Sequence, residues 1–374
     1  MARIGSKEKG KRIGLGVAPA ADLVWHDIRP FGVEGKGWAG TEHFYDRLPA
    51  RARGVVRPPV WELGQNSAGL CVRFVTGAAE IHARWRLRFE TLAMNHMPAT
   101  GMSGLDLYVR LGGQWRWIGV GRPEKYPVSE FQLVSGVAPG RRQYLLYLPL
   151  YNGVDSVEIG LPRRAAVAKA PPRRGRSGRP ICFYGTSITQ GGCASRPGMA
   201  YPAILGRRLE RPTINLGFSG NGQAEPEVAR LLAELDPSVF VLDCLPNLTL
   251  AQVLERVGPM VRTIRAARVQ TPIVLVENVR YQQAPCATEQ RRNWTAKNAA
   301  LRRVYRQLKA GGVKGLHYVP ADDLFGHDGE ATVDGAHATD LGFIRIANVL
   351  EPVLRPLSDD SRTLTHWNDS SCAV

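Results

Sequence analysis

Five short apolar runs in the second half of this 374-residue chain constrain its fold most strongly. They alternate with stretches of helical periodicity and read PICFYG, PTINLG, SVFVLD, PIVLVEN and GLHYVP. The helical stretches cover residues 199–209, 225–235, 249–267, 288–310 and 339–355. Short, continuously apolar strands that alternate with helices are typical of a parallel sheet covered on both faces. We therefore predict an α/β domain with a parallel sheet between two helical layers.

The first half of the chain has a different period. From about residue 55 to residue 162 apolar residues recur at every second position, as in IHARWRLRF, which places Ile81, Ala83, Trp85, Leu87 and Phe89 on one face. This alternation indicates half-buried strands. Glycine, proline or asparagine separates the runs, which favours an antiparallel sandwich or jelly roll.

The segment between the two halves, RRAAVAKAPPRRGRSGR, has no apolar period and is rich in arginine, proline and glycine. Such a composition is typical of a solvated connection. We therefore predict a β domain over residues 1–162, a basic linker over 163–179, an α/β domain over 180–358 and a carboxy-terminal tail over 359–374.

The net charge of +16 raises the question of a nucleic-acid partner. The basic residues concentrate in the first twelve positions, in the linker and on a predicted helix near 290–309, and they do not form the combined basic and aromatic platform on which bases stack. Charge runs of this kind are usually solvated. We therefore expect no nucleic-acid partner, and we leave a homo-oligomer open.

Membrane and metal signals are weak in this sequence. No apolar run reaches the roughly 18 residues that a membrane helix needs, so we expect a soluble protein without a membrane partner. The apolar patch near the amino terminus is shorter than a signal-peptide core, which favours a cytoplasmic location. The six cysteines are dispersed, and we expect no metal and no cofactor.

Chemically useful residues follow the predicted strands of the α/β half. Ser187 comes after the first strand, the turn GFSGNG at 217–222 after the second, and DCLPN, which ends at Asn247, after the third. Asp334 and His337 come just before the last helix. Because ligands bind at the carboxyl ends of parallel strands, we expect these residues to share one crevice.

These residue types fit acyl transfer. A serine hydroxyl becomes a nucleophile when an imidazole takes its proton, and a carboxylate orients that imidazole. Ser187, His337 and Asp334 could fill these three roles. The oxyanion that forms needs hydrogen-bond donors, for which the backbone N–H groups of Ser187 and Gly220 and the carboxamide of Asn247 are the candidates.

The ordered motifs resemble those of the SGNH (GDSL-type) hydrolases, a flavodoxin-like family of esterases and acylhydrolases. The four motif letters fall on Ser187, Gly220, Asn247 and His337, and Asp334 has the family's D-x-x-H spacing. The stretch SGLDLYV at 103–109 resembles the signature of the GxDLY-type β domain that precedes some members.

The sequence also departs from the family pattern in two motifs. Thr186 replaces the aspartate of G-D-S, which leaves the nucleophile in place. The asparagine block, usually G-x-N-D, reads LPNL here, so the reach of Asn247 is an open point.

The resemblance implies a serine esterase that acts on a small acyl ester. Sugar deacetylases that combine a jelly roll with an SGNH domain are the nearest functional analogues, so an acetylated carbohydrate or another polyhydroxylated molecule is the expected substrate. Two alternatives stay open: a lipase-like or thioesterase-like acylhydrolase, and an inactive carbohydrate-binding protein.

Other polar residues near the predicted crevice have two interpretations each. Arg196, Asn221 and Glu277 are candidate substrate contacts, with a structural role as the alternative. For Asp243 we favour a buried carboxylate that binds nearby amides. His96 lies in a methionine-rich stretch that could cover the site as a lid, although packing is the more common role of methionine-rich turns.

Overall fold

The computed structural model describes residues 22–173 and 178–358. Its first half forms two packed antiparallel sheets. The strands in chain order are β1 (Leu23–Asp27), β2 (Val33–Glu34), β3 (Cys71–Thr76), β4 (Ile81–Leu87), β5 (Leu105–Leu111), β6 (Gln114–Gly121), β7 (Val128–Val134), β8 (Arg142–Tyr147), β9 (Val154–Pro162) and β10 (Val167–Lys169). Two short helices, α1 (Pro58–Gly64) and α2 (Ala99–Met102), lie in the connections.

The two sheets form a β sandwich. One has the strand order β1-β9-β4-β7 and the other β10-β3-β8-β5-β6, with β2 paired to β3. Alternate residues of β4 are buried, so Ile81, Ala83, Trp85 and Leu87 all point into the core between the sheets. Phe89, predicted on the same face, lies beyond the end of β4 and is exposed, because the strand stops two residues earlier.

The second half contains a five-stranded parallel sheet. Its strands are β11 (Ile181–Gly185), β12 (Thr213–Gly217), β13 (Val239–Asp243), β14 (Ile273–Val276) and β15 (Leu316–Val319). Its helices are α3 (Ser187–Gln190), α4 (Tyr201–Arg208), α5 (Pro226–Glu234), α6 (Leu250–Ala267), α7 (Thr288–Ala310) and α8 (Asp340–Ser358).

The strand order β12-β11-β13-β14-β15 is the flavodoxin-like order. The chain adds β12 on one side of β11 and then adds β13, β14 and β15 on the other side, so the order in which strands are added reverses between β11 and β13. Helices α5, α6 and α7 pack on one face of the sheet, and α4 and α8 pack on the other. Alternate residues of β11 serve the two faces, with Cys182 and Tyr184 on one side and Ile181 and Phe183 on the other. The predicted fold class, a β sandwich followed by a three-layer α/β/α domain, is confirmed.

Part of the segment expected as a linker forms regular structure. Val167–Lys169 forms β10 and pairs with β3, and Arg173 forms a partly buried ion pair with Glu34. Paired backbone groups and a shielded guanidinium explain why this stretch is not wholly a solvated connection. Residues 1–21, 174–177 and the predicted tail at 359–374 lie outside the described residues.

One stretch of the amino-terminal half packs on the α/β domain instead of the sandwich. Leu48, Ala52, Val56 and Val60 belong to the same apolar core as helices α5 and α6. Nearby, the buried guanidinium of Arg47 donates to the carbonyl oxygens of Asn66, Leu63, Asn215 and Gly217, at distances of 2.6 to 2.9 Å. The amino-terminal half therefore supports the carboxyl end of β12.

Within the described residues, no helix combines the length and the apolar character that crossing a bilayer requires.

Candidate active site

Ser187 lies directly beyond β11, at the first position of the short helix α3. Thr186 caps this helix, because its hydroxyl accepts a hydrogen bond from the Ile188 backbone N–H at 3.3 Å. Threonine and aspartate can both cap a helix, so Thr186 can keep the cap that the family's aspartate would provide. Only 7% of Ser187 is exposed. The buried helix α3 therefore fixes where the Ser187 side chain can lie.

The structure brings three of the predicted residues together in one hydrogen-bonded chain. Ser187 Oγ lies 2.9 Å from His337 Nε2, and His337 Nδ1 lies 2.7 Å from Asp334 Oδ2. A carboxylate only accepts, so Nδ1 carries the proton and Nε2 presents a lone pair to the serine hydroxyl. This is the tautomer that a general base for Ser187 requires.

Asp334 is held in the charged form by its surroundings. Partial burial alone would raise its pKa, but hydrogen bonds from the His337 backbone, the His337 ring and the Ala336 backbone outweigh that effect and lower the pKa to about 2. The backbone N–H groups of Ala336 and His337 both donate to Asp334 Oδ1, at 3.0 and 2.8 Å. One oxygen thus holds the backbone turn, and the other orients the imidazole.

The loop that carries Asp334 and His337 is tied to the chain before α7. Gln283 Nε2 donates to the Asp334 carbonyl at 2.7 Å, and the Gln282 N–H donates to the Gly335 carbonyl at 2.9 Å. Gly335 has a φ of +92°, and a Cβ there would lie 1.8 Å from Gln283 Nε2. A glycine is therefore required at this position by both conformation and space.

The three candidate oxyanion donors, Gly220, Ser187 and Asn247, lie on the segments that follow the adjacent strands β12, β11 and β13. Gly220 has a φ of +69°, and a Cβ on it would meet nothing within 4 Å, so the space beside it is open. Asn247 Oδ1 accepts from the Gly222 N–H at 3.2 Å, which fixes the orientation of the carboxamide. Within the described residues no acceptor binds Asn247 Nδ2 or the N–H groups of Ser187 and Gly220. These donors stay available to a substrate.

Sequence reasoning missed Gln190, which joins the serine helix to two neighbouring elements. Its Nε2 donates to Asn66 Oδ1 at 3.0 Å and to the Leu150 carbonyl at 3.1 Å. Its Oε1 accepts from the Ser219 N–H at 3.0 Å. The only signal in the sequence was the position of a glutamine three residues after the serine, and its burial became evident only in the structure. Gln190 links the loop that carries Gly220 to the helix that carries Ser187.

Two predicted substrate contacts prove to be occupied by protein partners. Asn221 Oδ1 accepts from Arg57 Nη1 at 2.9 Å, and its Nδ2 donates to the Ser219 carbonyl at 2.8 Å. Glu277 is fully buried, and its carboxylate accepts from the side chains of Arg302 and Tyr318 and from the Ala321 N–H. Full burial keeps Glu277 away from a substrate. Asn221 is only partly buried, so substrate contact by Asn221 stays a prediction.

Arg196, the third predicted substrate contact, connects the two halves of the chain. Its Nη1 donates to Asp106 Oδ2 at 2.8 Å and to the Tyr108 hydroxyl at 2.5 Å, and its guanidinium lies 5.2 Å from the Trp117 ring. The fully buried Asp106 also accepts from the Gly198 N–H at 2.8 Å. The aspartate and tyrosine of the G-x-D-L-Y motif thus hold the loop that follows the serine helix.

Asp243 is buried as predicted, but its partners are hydroxyl groups and not amides. Asp243 Oδ2 accepts from the Tyr201 hydroxyl at 2.9 Å and from Thr189 Oγ1 at 3.2 Å. Burial raises its pKa to about 7, although the two hydrogen bonds act in the opposite direction. Asp243 lies beneath α3 and does not contact His337.

His96 reaches the site from the β sandwich. Its ring lies edge-on to the ring of His337, with the centroids 5.8 Å apart. The methionines beside it pack into the apolar core shared with the α/β domain, with Met97 buried and Met94 partly buried. The packing interpretation therefore describes the methionines, whereas the histidine faces the site.

Two family models match the chain. The GDSL-like lipase/acylhydrolase family matches residues 178–355, and the GxDLY model, described as the amino terminus of SGNH hydrolase-type esterases, matches residues 23–167. A comparison with curated proteins found no match.

Solved structures resemble the chain over both halves. A GDSL-like lipase from Bacteroides ovatus is 34% identical, with 90% of this chain and 98% of that chain covered and a TM-score of 0.85. Salicylyl-acyltransferase SsfX3 from a tetracycline biosynthetic pathway is 17% identical, with coverages of 90% and 98% and a TM-score of 0.71. A family two carbohydrate esterase from Clostridium thermocellum, in complex with cellohexaose, is 15% identical, with coverages of 77% and 92% and a TM-score of 0.57. The last two similarities show a shared fold.

Proposed function

Because this chain belongs to the GDSL-like lipase/acylhydrolase family, we propose that it is a serine esterase with Ser187 as its nucleophile. The observation that carries the proposal is the hydrogen-bonded chain from Ser187 Oγ through both His337 nitrogens to Asp334. Such a chain supplies the activated hydroxyl that ester cleavage by a covalent route requires.

The proposed reaction has two halves. In the first, His337 Nε2 takes the Ser187 proton while Oγ attacks the ester carbonyl, and the imidazolium then returns the proton to the departing alcohol. In the second, His337 takes a proton from water, which attacks the acyl group on Ser187, and the imidazolium returns the proton to Ser187 Oγ as the acid leaves. Asp334 stabilises the imidazolium in both halves, and its low pKa keeps it ionised for this role.

The oxyanion that forms in each half needs donors in a site of low water content. We assign this role to the N–H groups of Ser187 and Gly220 and to Asn247 Nδ2. The Gly222 contact to Asn247 Oδ1 supports the assignment, because it leaves the amide hydrogens of Asn247 free to donate.

We propose a small acyl group, acetyl in the first place, on a carbohydrate or another polyhydroxylated alcohol as the substrate. The support comes from the fold shared with a carbohydrate esterase that holds cellohexaose. The apolar side chains near the serine, such as Ile188 and Leu150, are buried in the protein core and are not free to bind an acyl chain. This favours a short acyl group over a long one.

Hydrolysis of aryl esters tests both parts of this proposal. The purified protein should release product from an aryl acetate, with a higher kcat/KM than for the matching octanoate, and Ser187→Ala should remove this activity. A panel of acetylated sugars then identifies the alcohol. A preference for octanoate would instead indicate a lipase-like or thioesterase-like enzyme. Glycan binding without any turnover would indicate a carbohydrate-binding protein.

A further inference from the structure

Three metal-binding side chains meet at the mouth of the candidate active site. His96, Cys193 and His337 each place one ligand atom within 4.8 Å of the others. They come from the β sandwich, from the loop after α3 and from the loop before α8. Their wide separation in sequence explains why the dispersed cysteines gave no sign of a metal site.

Both imidazoles are oriented as metal-binding histidines usually are. His337 Nδ1 donates to Asp334, and His96 Nδ1 lies 2.9 Å from Asn95 Oδ1, an oxygen that can only accept. Each ring therefore keeps its proton on Nδ1 and its lone pair on Nε2. A carboxylate or carbonyl oxygen on the far nitrogen commonly fixes the tautomer of a ligating histidine.

Cys193 completes a donor set of two nitrogens and one sulfur. It is buried, and its backbone has a φ of 71°, an uncommon conformation for a residue with a side chain. Burial, followed by the charge of Asp334, raises the pKa of the thiol to about 12. A dication would be attracted by Asp334 and would displace the thiol proton, as metal binding to cysteine requires.

We propose that His96, Cys193 and His337 bind Zn²⁺, and that the bound ion inhibits the enzyme by withdrawing His337 Nε2 from Ser187. Two imidazoles and a thiolate suit zinc, whereas magnesium and calcium prefer oxygen ligands. The inhibitory part rests on the proposed esterase activity, and the binding part does not.

The required rearrangement is small. Bonds of about 2.0 to 2.3 Å in a tetrahedral site place ligand atoms about 3.3 to 3.6 Å apart. Since the three atoms lie within 4.8 Å of one another, each pair must approach by about 1.5 Å at most. Rotation of His96, which is only half-buried, can supply much of this movement. Water or the Ser187 hydroxyl takes the fourth position. Binding releases one proton, from the Cys193 thiol.

The test uses the full chain after removal of metals with a chelator. Titration with Zn²⁺ should show one equivalent bound and about one proton released, and Co²⁺ should give a thiolate charge-transfer band. Zn²⁺ should also inhibit aryl acetate hydrolysis, and a chelator should reverse the inhibition. Mg²⁺ should produce none of these effects.

Variants then locate the site. Cys193→Ser and His96→Asn should each weaken Zn²⁺ binding at least about tenfold, and Cys193→Ser should abolish the cobalt band. Cys286→Ser removes an exposed thiol elsewhere in the chain and should behave as the parent protein does. Because Cys193 is buried, circular dichroism checks the folding of its variant, and His96→Asn decides the question if Cys193→Ser does not fold.

Ser187→Ala separates the two proposals. This variant should lose esterase activity but retain the zinc and cobalt signals. A parent protein that has no esterase activity but still binds one Zn²⁺ would overturn the esterase proposal alone. The metal site is overturned if the parent protein binds no Zn²⁺, or if binding and inhibition are the same in the His96→Asn and Cys193→Ser variants.

Discussion

The candidate site is built from two unlike regions. One is a buried floor, formed by α3 (Ser187–Gln190) and Asp243, and the other is the exposed loop that carries Asp334 and His337. An aspartate in each region shows the difference. Asp243 lies in the buried floor beneath Ser187, bound to two hydroxyls, and burial raises its pKa to about 7. Asp334 lies on the exposed loop, where N–H donors outweigh partial burial and lower its pKa to about 2. An aspartate in the floor therefore accepts a proton readily, whereas an aspartate on the loop stays charged.

This contrast separates a structural acid from the acid that serves the imidazole. A carboxylate that stabilises an imidazolium must be ionised at working pH, which requires N–H donors and not mere burial. The floor supplies rigidity, since every residue of α3 is buried. The loop supplies charge and proton transfer, and it is tied down by hydrogen bonds.

The largest effect should follow from removing the nucleophile that the floor positions. Ser187→Ala should lower kcat for an aryl acetate by about 10⁵-fold or more, because no other group can form the acyl intermediate. Steady-state kinetics measure the loss, and urea unfolding should show stability close to that of the parent. Ser156→Ala, on the exposed part of β9, is the matched control with unchanged kcat. Equal activity in the two variants would contradict the assignment.

Removing the charge from the loop should have the next largest effect. Asp334→Asn keeps the shape but cannot hold the same His337 tautomer or stabilise the imidazolium, so we expect kcat to fall by about 10⁴-fold. The same kinetic assay checks this value. Asp322→Asn, at an exposed position, should leave kcat unchanged. If Asp243→Asn lowered kcat more than Asp334→Asn does, the division between floor and loop would be wrong.

The raised pKa of Asp243 in the floor should make the free energy of unfolding depend on pH. The pKa of Asp243 is raised from 3.8 to about 7 in the folded state, so between these pH values the folded state holds one more proton than the unfolded state. The free energy of unfolding contributed by this group therefore falls as pH rises from about 4 to about 7, by up to about 4 kcal/mol.

Urea unfolding of Asp243→Asn and of the parent at pH 4.5 and pH 8 measures this contribution. The variant should gain stability relative to the parent at pH 8, because the amide has no proton to lose. A difference between the two proteins that is the same at both pH values would show that Asp243 does not titrate in this range.

The smallest effect should come from loosening the loop. Gln283→Ala removes the hydrogen bond to the Asp334 carbonyl, which is worth about 1 kcal/mol, so kcat should fall about fivefold while KM changes little. Gln307→Ala, on the exposed face of α7, serves as the control. No change in kcat for Gln283→Ala would mean that other contacts suffice to hold the loop.

The fold could be predicted from local patterns, and the approach of Ser187 to His337 could be predicted from the strand ends and from the resemblance to the SGNH hydrolases. Buried strands and amphipathic helices have different periods, and the carboxyl ends of parallel strands meet at one edge. The predicted helices agree with the observed ones within two or three residues at each end, as for α6 (Leu250–Ala267).

The partners of the three candidate substrate contacts are distant in sequence. For Arg196, Asn221 and Glu277 the sequence left a substrate contact and a structural role open; the first two are paired with residues of the amino-terminal half and the third with residues of α7 and β15. The approach of His96 to His337 depends on how the β sandwich packs against the α/β domain. No spacing within either half encodes such contacts.

Covalent labelling tests the central claim most directly, because it requires an activated hydroxyl but no knowledge of the substrate. The intact protein, treated with a fluorophosphonate, should gain one adduct, and peptide mass spectrometry should place that adduct on Ser187. His337→Ala should react far more slowly. A parent protein that gains no adduct, or that carries it on another residue, would contradict the account.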